Sequence, residues 1–255
     1  MEKLKYHGNE YRILKPNEDT LLKLSTLPPE AWQKFIEKGL NNANTPIAYR
    51  QATPDDFRIF GGYKNPLIQY NSVITLPYLS KYKTLLDTTF PSTYTTKDIL
   101  TICKTNLEIL KQIHQKGICH GDIIASNIMI DENNNIEFID FDSCIIDDYI
   151  SDENTTVKTR KSTKEIFHQA TIEDKEAVLF LYLEYLATGN FTPTLSISYK
   201  SLDFTPTAKR LLQGVFGNKN TPIDYYYDDF IEYLISTNYE SPKVYSKNIL
   251  SKYGF

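Results

Sequence analysis

The chain has 255 residues, 41% of them hydrophobic and 24% charged, and a formal net charge of −4. That length suits one domain or one two-lobed unit with a sizeable core, and the mild acidity gives no reason to expect nucleic acid or an anionic membrane as partner. Cys103, Cys119 and Cys144 are an odd number without metal-ligand spacing, and no apolar run approaches the roughly 18 residues of a membrane span, which argues against a disulfide scaffold, a zinc module or a transmembrane segment.

The first thirty residues read as paired strands. Glu10–Lys15 alternates polar and apolar residues, Pro16-Asn17-Glu18-Asp19 supplies a turn, and Thr20–Leu24 resumes as a strand. Pro28-Pro29-Glu30 opens a helix, because proline is tolerated in a first turn whose amides have no partner to lose. Trp32, Phe35, Ile36 and Leu40 mark its apolar face, with Gly39 near its end. Further strands are expected at Ile47–Arg50, Phe57–Phe60 and Ser72–Leu76, the last two split by Gly61-Gly62. From about Thr95 the period turns helical: Ile99, Leu100, Cys103, Leu107, Leu110 and Ile113 form a stripe ended by Gly117. Asn127–Ile130 and Ile136–Ile139 are short strands around the polar turn Asp131–Asn135. Residues 147–170 are polar and rich in Ser and Thr, and Glu173–Leu186 is a strongly apolar helix. Helices are also expected at about 205–215 and 225–237, with Tyr225-Tyr226-Tyr227, Phe230 and Tyr233 as packing core. Strands first and helices later give an α+β arrangement.

The chemistry is concentrated in Ile118-Cys119-His120-Gly121-Asp122-Ile123-Ile124-Ala125-Ser126-Asn127 and in Ile139-Asp140-Phe141-Asp142. Asn127 follows Asp122 by five residues and Asp140 follows it by eighteen. A carboxylate that positions a hydroxyl, with an amide and a second carboxylate to hold Mg²⁺ against nucleotide phosphates, is what phosphoryl transfer asks of a protein. In-line transfer needs little covalent help, so positioning and charge neutralisation are the protein's share.

With these residues the chain resembles the protein-kinase-like superfamily, close to bacterial kinases of eukaryotic type. Ile109–Asp122 resembles that family's long helix running into its catalytic loop, and Asp174, opening the helix that ends in Leu186-Ala187-Thr188-Gly189, resembles a further landmark. The resemblance implies a bilobal α+β fold with a small β-rich lobe over residues 1–78 and a larger helical lobe over residues 79–255. It implies ATP and Mg as cofactors and a protein substrate phosphorylated on Ser or Thr. Asp122 would orient the acceptor hydroxyl and accept its proton, while Asn127 and Asp140 would ligate the metal. His120 would support the loop, and Asp174 would accept hydrogen bonds from its amides. Lys23, favoured over Lys15, would bind the α- and β-phosphates, with Glu37 rather than Glu30 as its carboxylate partner. Val73–Leu79 resembles the connector between lobes, so the backbone of Thr75, Pro77 and Tyr78 would pair with adenine.

Several positions depart from the family pattern. The glycine-rich phosphate-covering loop is reduced to Gly8, Ile124 stands where Ser/Thr kinases carry a lysine, and Asp142 replaces the Gly of Asp-Phe-Gly. No Ala-Pro-Glu closes the 147–170 segment, although Glu165 is available there. Thr155, Thr156, Thr159, Ser162 and Thr163, set among Lys158, Arg160, Lys161 and Lys164, are candidate autophosphorylation sites whose phosphates would pair with those cations. Two other readings stay open: a small-molecule phosphotransferase resembling aminoglycoside or choline kinases, and a catalytically silent binding module. The N-terminus lacks the apolar stretch of a signal peptide, so a cytoplasmic protein is expected, its own cell's or one delivered into a host.

Overall fold

A computed structural model of the chain describes residues 2–4, 13–60, 70–146, 149–150, 163–192 and 224–236. Within them, in chain order, lie β1 (Glu2–Leu4), β2 (Ile13–Lys15), β3 (Thr20–Ser25), α1 (Pro29–Glu37), β4 (Ala48–Gln51), α2 (Pro54–Ile59) and β5 (Ser72–Pro77). There follow β6 (Lys83–Thr84), α3 (Thr96–Gln115), β7 (Ile118–Cys119), β8 (Ile128–Ile130) and β9 (Ile136–Phe138). The last are β10 (Ile145–Ile146), β11 (Tyr149–Ile150), α4 (Thr163–Thr188) and α5 (Asp224–Ser236). The class is α+β, with the β-rich part first. Two compact units share the chain: Met1–Tyr82, Gln112–Asp122 and Asn135–Thr171 make one, and Lys83–Lys111, Ile123–Asn134 and Ile172–Phe255 make the other.

The first unit is built on a five-stranded antiparallel sheet of order β1-β2-β3-β5-β4. The turn between β2 and β3 is fixed by Asn17, whose Oδ1 accepts the amides of Asp19 and Thr20, each at 2.9 Å; short polar side chains make such turns readily. One sheet face buries Leu14, Leu24 and Val73 together with Phe60 and Tyr70. α1 has proline in its first turn and turns Ala31, Trp32 and Phe35 inward. The chain leaves it through Gly39 at φ 57°, a left-handed conformation in which glycine escapes the Cβ clash.

The strand expected at Phe57–Phe60 is instead part of helix α2 and its C-terminal cap. Thr53 precedes Pro54, and its amide and hydroxyl both donate to Asp56 Oδ2 at 2.8 Å, so the first turn is capped before the aromatic residues arrive. Phe57 and Phe60, three apart, then pack on the same sheet face. The second difference lies in α4, which begins at Thr163 rather than Glu173. Ile166, Phe167 and Ala170 recur at helical spacing and pack with Cys119 and Ile145, a stripe that the surrounding Ser and Thr residues mask. β10 pairs with both β7 and β11 to close this side of the unit.

In the second unit α3 buries Leu100, Cys103, Leu107 and Leu110 at helical spacing. Asn106 Nδ2 donates to the Tyr182 hydroxyl at 2.7 Å, and the Tyr185 hydroxyl accepts the Phe90 amide at 2.9 Å. Phe90 lies edge-on to both Tyr185 and Phe191, and those two rings are tilted against each other, with centroids between 4.6 and 5.9 Å. β6 pairs antiparallel with β8. α5 falls where a helix was expected; Phe230, Ile231 and Leu234 are buried, and Glu232 pairs with Lys104. The helix expected at 205–215, Gly8, and Thr155, Thr156, Thr159 and Ser162 lie outside the described residues. Among those described, no helix is long and apolar enough to cross a membrane.

Candidate active site

β3 lies between β2 and β5, and strand alternation turns Lys23 and Ser25 to the face opposite Leu22 and Leu24. Both are buried, and a buried ammonium is tolerated only when it is paired. Lys23 Nζ lies 2.5 Å from Asp140 Oδ1 and 3.0 Å from Asp142 Oδ2. Burial alone would depress the amine, but the two carboxylates outweigh it and hold Lys23 well above the usual lysine range. Burial pushes the Asp142 carboxyl up; Lys23 opposes that shift and Asp140 adds to it.

Both acids come from the turn after β9. Asp140 adopts φ 64° and ψ 61°, a left-handed conformation unusual for a residue with a side chain. Phe141 fixes the turn, lying edge-on to Phe35 of α1 at 4.8 Å and 4.5 Å from the His120 ring. Asp142 Oδ1 accepts the Ser25 hydroxyl at 2.7 Å, and Ser25 Oγ is also within reach of Trp32 Nε1 at 2.9 Å and the Leu27 amide at 3.1 Å.

His120 carries the loop that presents Asp122. It is fully buried, with Nε2 2.8 Å from the Ile139 carbonyl and Nδ1 3.3 Å from the Asp122 amide. A carbonyl only accepts and an amide only donates, so the proton sits on Nε2 and the ring is neutral. His120 thereby ties the Asp122 backbone to the segment leading into Asp140. Gly121, at φ 79°, makes the bend between them, and Asp122 itself is exposed.

Other expected site residues are placed differently. Glu37 is exposed and accepts a hydrogen bond from Gln33 Nε2 at 3.0 Å, so the structure does not bring it to Lys23. Asp142, which departs from the family's glycine, lies against Lys23 instead. Thr75 and Pro77 lie in β5, with the Thr75 carbonyl accepting the Ile47 amide at 2.9 Å and the Pro77 carbonyl accepting Asn44 Nδ2 at 3.3 Å. The Tyr78 amide is already engaged by the Asp19 carbonyl at 2.8 Å, and its ring lies under Lys15 Nζ. The next amide, that of Leu79, has no partner among the described residues. Asn127 belongs to the second unit, where it is buried at the end of a 3-10 turn and donates its amide to the Ile124 carbonyl at 2.9 Å. Asp174 is buried within α4 rather than opening it.

The family model for the protein kinase domain matches residues 69–161, the stretch that contains Asp122, Asn127 and Asp140. Over 62 residues the chain is 37% identical to Serine/threonine-protein kinase ste20 of Aspergillus fumigatus, and to the proteins of that name from Aspergillus oryzae and Emericella nidulans. Each alignment covers 24% of this chain and 7% or 8% of the relative's own length. Residues 69–161 are thus similar to the protein kinase domain, and an α+β fold with its β-rich part first agrees with that likeness.

Proposed function

We propose that the chain is an ATP- and Mg-dependent phosphotransferase, a protein kinase acting on Ser or Thr hydroxyls. The observation that carries this reading is the pairing of buried Lys23 with half-buried Asp140, 2.5 Å apart, which joins a cation suited to phosphate with a carboxylate suited to metal. Asp140 fits a magnesium ion as a carboxylate ligand, the hard oxygen donor that this cation takes, and Asn127 is the amide ligand that the resemblance implies. When bound, the ion supplies charge neutralisation at the transferring phosphate.

The chain's own residues do the rest. Lys23 holds the α- and β-phosphates from the strand. Asp122, its backbone fixed by neutral His120, orients the acceptor hydroxyl and receives its proton. Thr75, Pro77 and Tyr78 form the adenine-side connector, and the Leu79 amide is the donor left for the base edge. Ile124 removes the lysine that marks Ser/Thr kinases, and the loop His120-Gly121-Asp122, which resembles that of aminoglycoside or choline kinases, keeps a small-molecule acceptor as the second reading. Three buried cysteines that form no disulfide among the described residues support a reducing, cytoplasmic setting.

Incubation of the purified chain with labelled ATP and Mg²⁺, alone and with generic protein substrates, tests this beside an Asp122→Ala control. Label on protein that falls by about 100-fold or more in the control is expected, the scale of lost acid–base positioning. Transfer confined to a small hydroxylated or aminated compound supports the second reading, and ATP binding without any transfer defeats both.

A further inference from the structure

We propose that Asp142 is the positioning residue that holds Lys23 for nucleotide phosphates, taking the place of a carboxylate from α1; this rests on the reading of Lys23 given above. α1 cannot fill that place as it lies. Its acids, Glu30 and Glu37, are exposed, and the side chains it turns inward are Ala31, Trp32 and Phe35.

The hydrogen bonds around Ser25 fix the direction of the contact. A hydroxyl has one proton and two acceptor positions. The Trp32 indole and the Leu27 amide only donate, so both are received by Ser25 Oγ, and its single proton goes to Asp142 Oδ1. That oxygen is thereby tied to β3 and, through Trp32, to α1. The other, Oδ2, is left facing Lys23 at 3.0 Å with no aligned hydrogen bond among the described residues, so the contact is chiefly coulombic.

Asp140 is nearer to Lys23 but has a second task. Its side chain is 26% exposed, against 5% for Asp142, and as a metal ligand it would share its charge with the cation. Asp142 is shut from solvent and anchored by Ser25, so Lys23 keeps a buried counter-charge whether or not metal is present. A glycine at position 142 would have no side chain to do this. The departure at Asp142 and the outward-facing Glu37 therefore belong together: one carboxylate has replaced the other, from a different element.

The test compares the whole chain with Asp142→Asn, which keeps the acceptor for Ser25 and removes the charge, and with Glu37→Gln. Asp142→Asn should raise the KM for MgATP about tenfold, with a smaller change in kcat, as expected when a ground-state contact is lost. Glu37→Gln should match the parent. A nucleotide-independent arm acylates the folded proteins briefly and reads Lys23 by mass spectrometry; in Asp142→Asn it should label several-fold faster than in the parent. Parent-like labelling and parent-like KM in Asp142→Asn overturn the proposal, as does a Glu37→Gln loss equal to the Asp142→Asn loss. If the parent neither binds nor turns over MgATP, the kinase reading falls and with it the phosphate role, while the labelling arm still decides whether Asp142 holds Lys23. Should Asp142→Asn fail to fold, Ser25→Ala releases the anchor alone and is expected to raise both KM and labelling; no change in either overturns the proposal.

Discussion

Asp140 holds a backbone conformation that costs a residue with a Cβ about 1 kcal/mol or more and glycine very little. Asp140→Gly and Asp140→Ala both remove the carboxylate that faces Lys23, so the difference between them isolates the backbone. We expect Asp140→Gly to be the more stable by about 0.5–1 kcal/mol in urea melts, with phosphotransfer lost in both. The spacing of Asp122, Asn127 and Asp140 was legible because a loop of fixed length sets it. The partner of Lys23 was not. Asp142 lies 119 residues further along the chain, where no local period points, whereas the nearest helix offers Glu37 close by. The apolar stripe of α1 nonetheless carried a warning. Glu37 lies two positions from Phe35, about 200° around the helix and so on the outer face.

At the scale of elements, α2 hangs on one carboxylate. Asp56 is buried, accepts from Thr53 and grips Arg50 at 2.5 and 2.6 Å. The Arg50 hydrogen bonds hold its carboxyl well below the usual range, burial works against them, and Thr53 assists. A depressed carboxyl contributes stability that is present above its unfolded pKa and lost as pH falls through the folded one. Asp56→Asn should therefore cost about 1–2 kcal/mol at neutral pH, the worth of a helix cap. Most of Arg50 is solvated and adds little. The gap to the parent should narrow as pH drops from about 5 towards 3, measured by urea melts at each pH; a gap constant with pH would contradict the assignment. A short aromatic run is ambiguous between strand and helix, and here Thr53-Pro54-Asp55-Asp56 was the deciding signal. For β2, β3, α1 and α3, alternation, proline and a long stripe sufficed, because each buries a face of its own.

At the scale of the whole molecule, each unit is assembled from three separated stretches. Met1–Tyr82 holds the sheet but not the acids that neutralise Lys23 or the acceptor that takes the Ser25 proton. Leaving a buried charge without its partner costs about 3–5 kcal/mol, a large part of a domain's stability. A fragment of residues 1–82 should thus show no cooperative thermal transition by circular dichroism, while the full chain melts cooperatively; a sharp melt of the fragment would contradict the interdependence described for Lys23. The same dependence bears on synthesis. At about 5–20 residues per second, the ribosome delivers Asp140 on the order of ten seconds after Lys23. The nascent N-terminal strands must wait through that interval, and whatever shelters an emerging chain has its longest duty there.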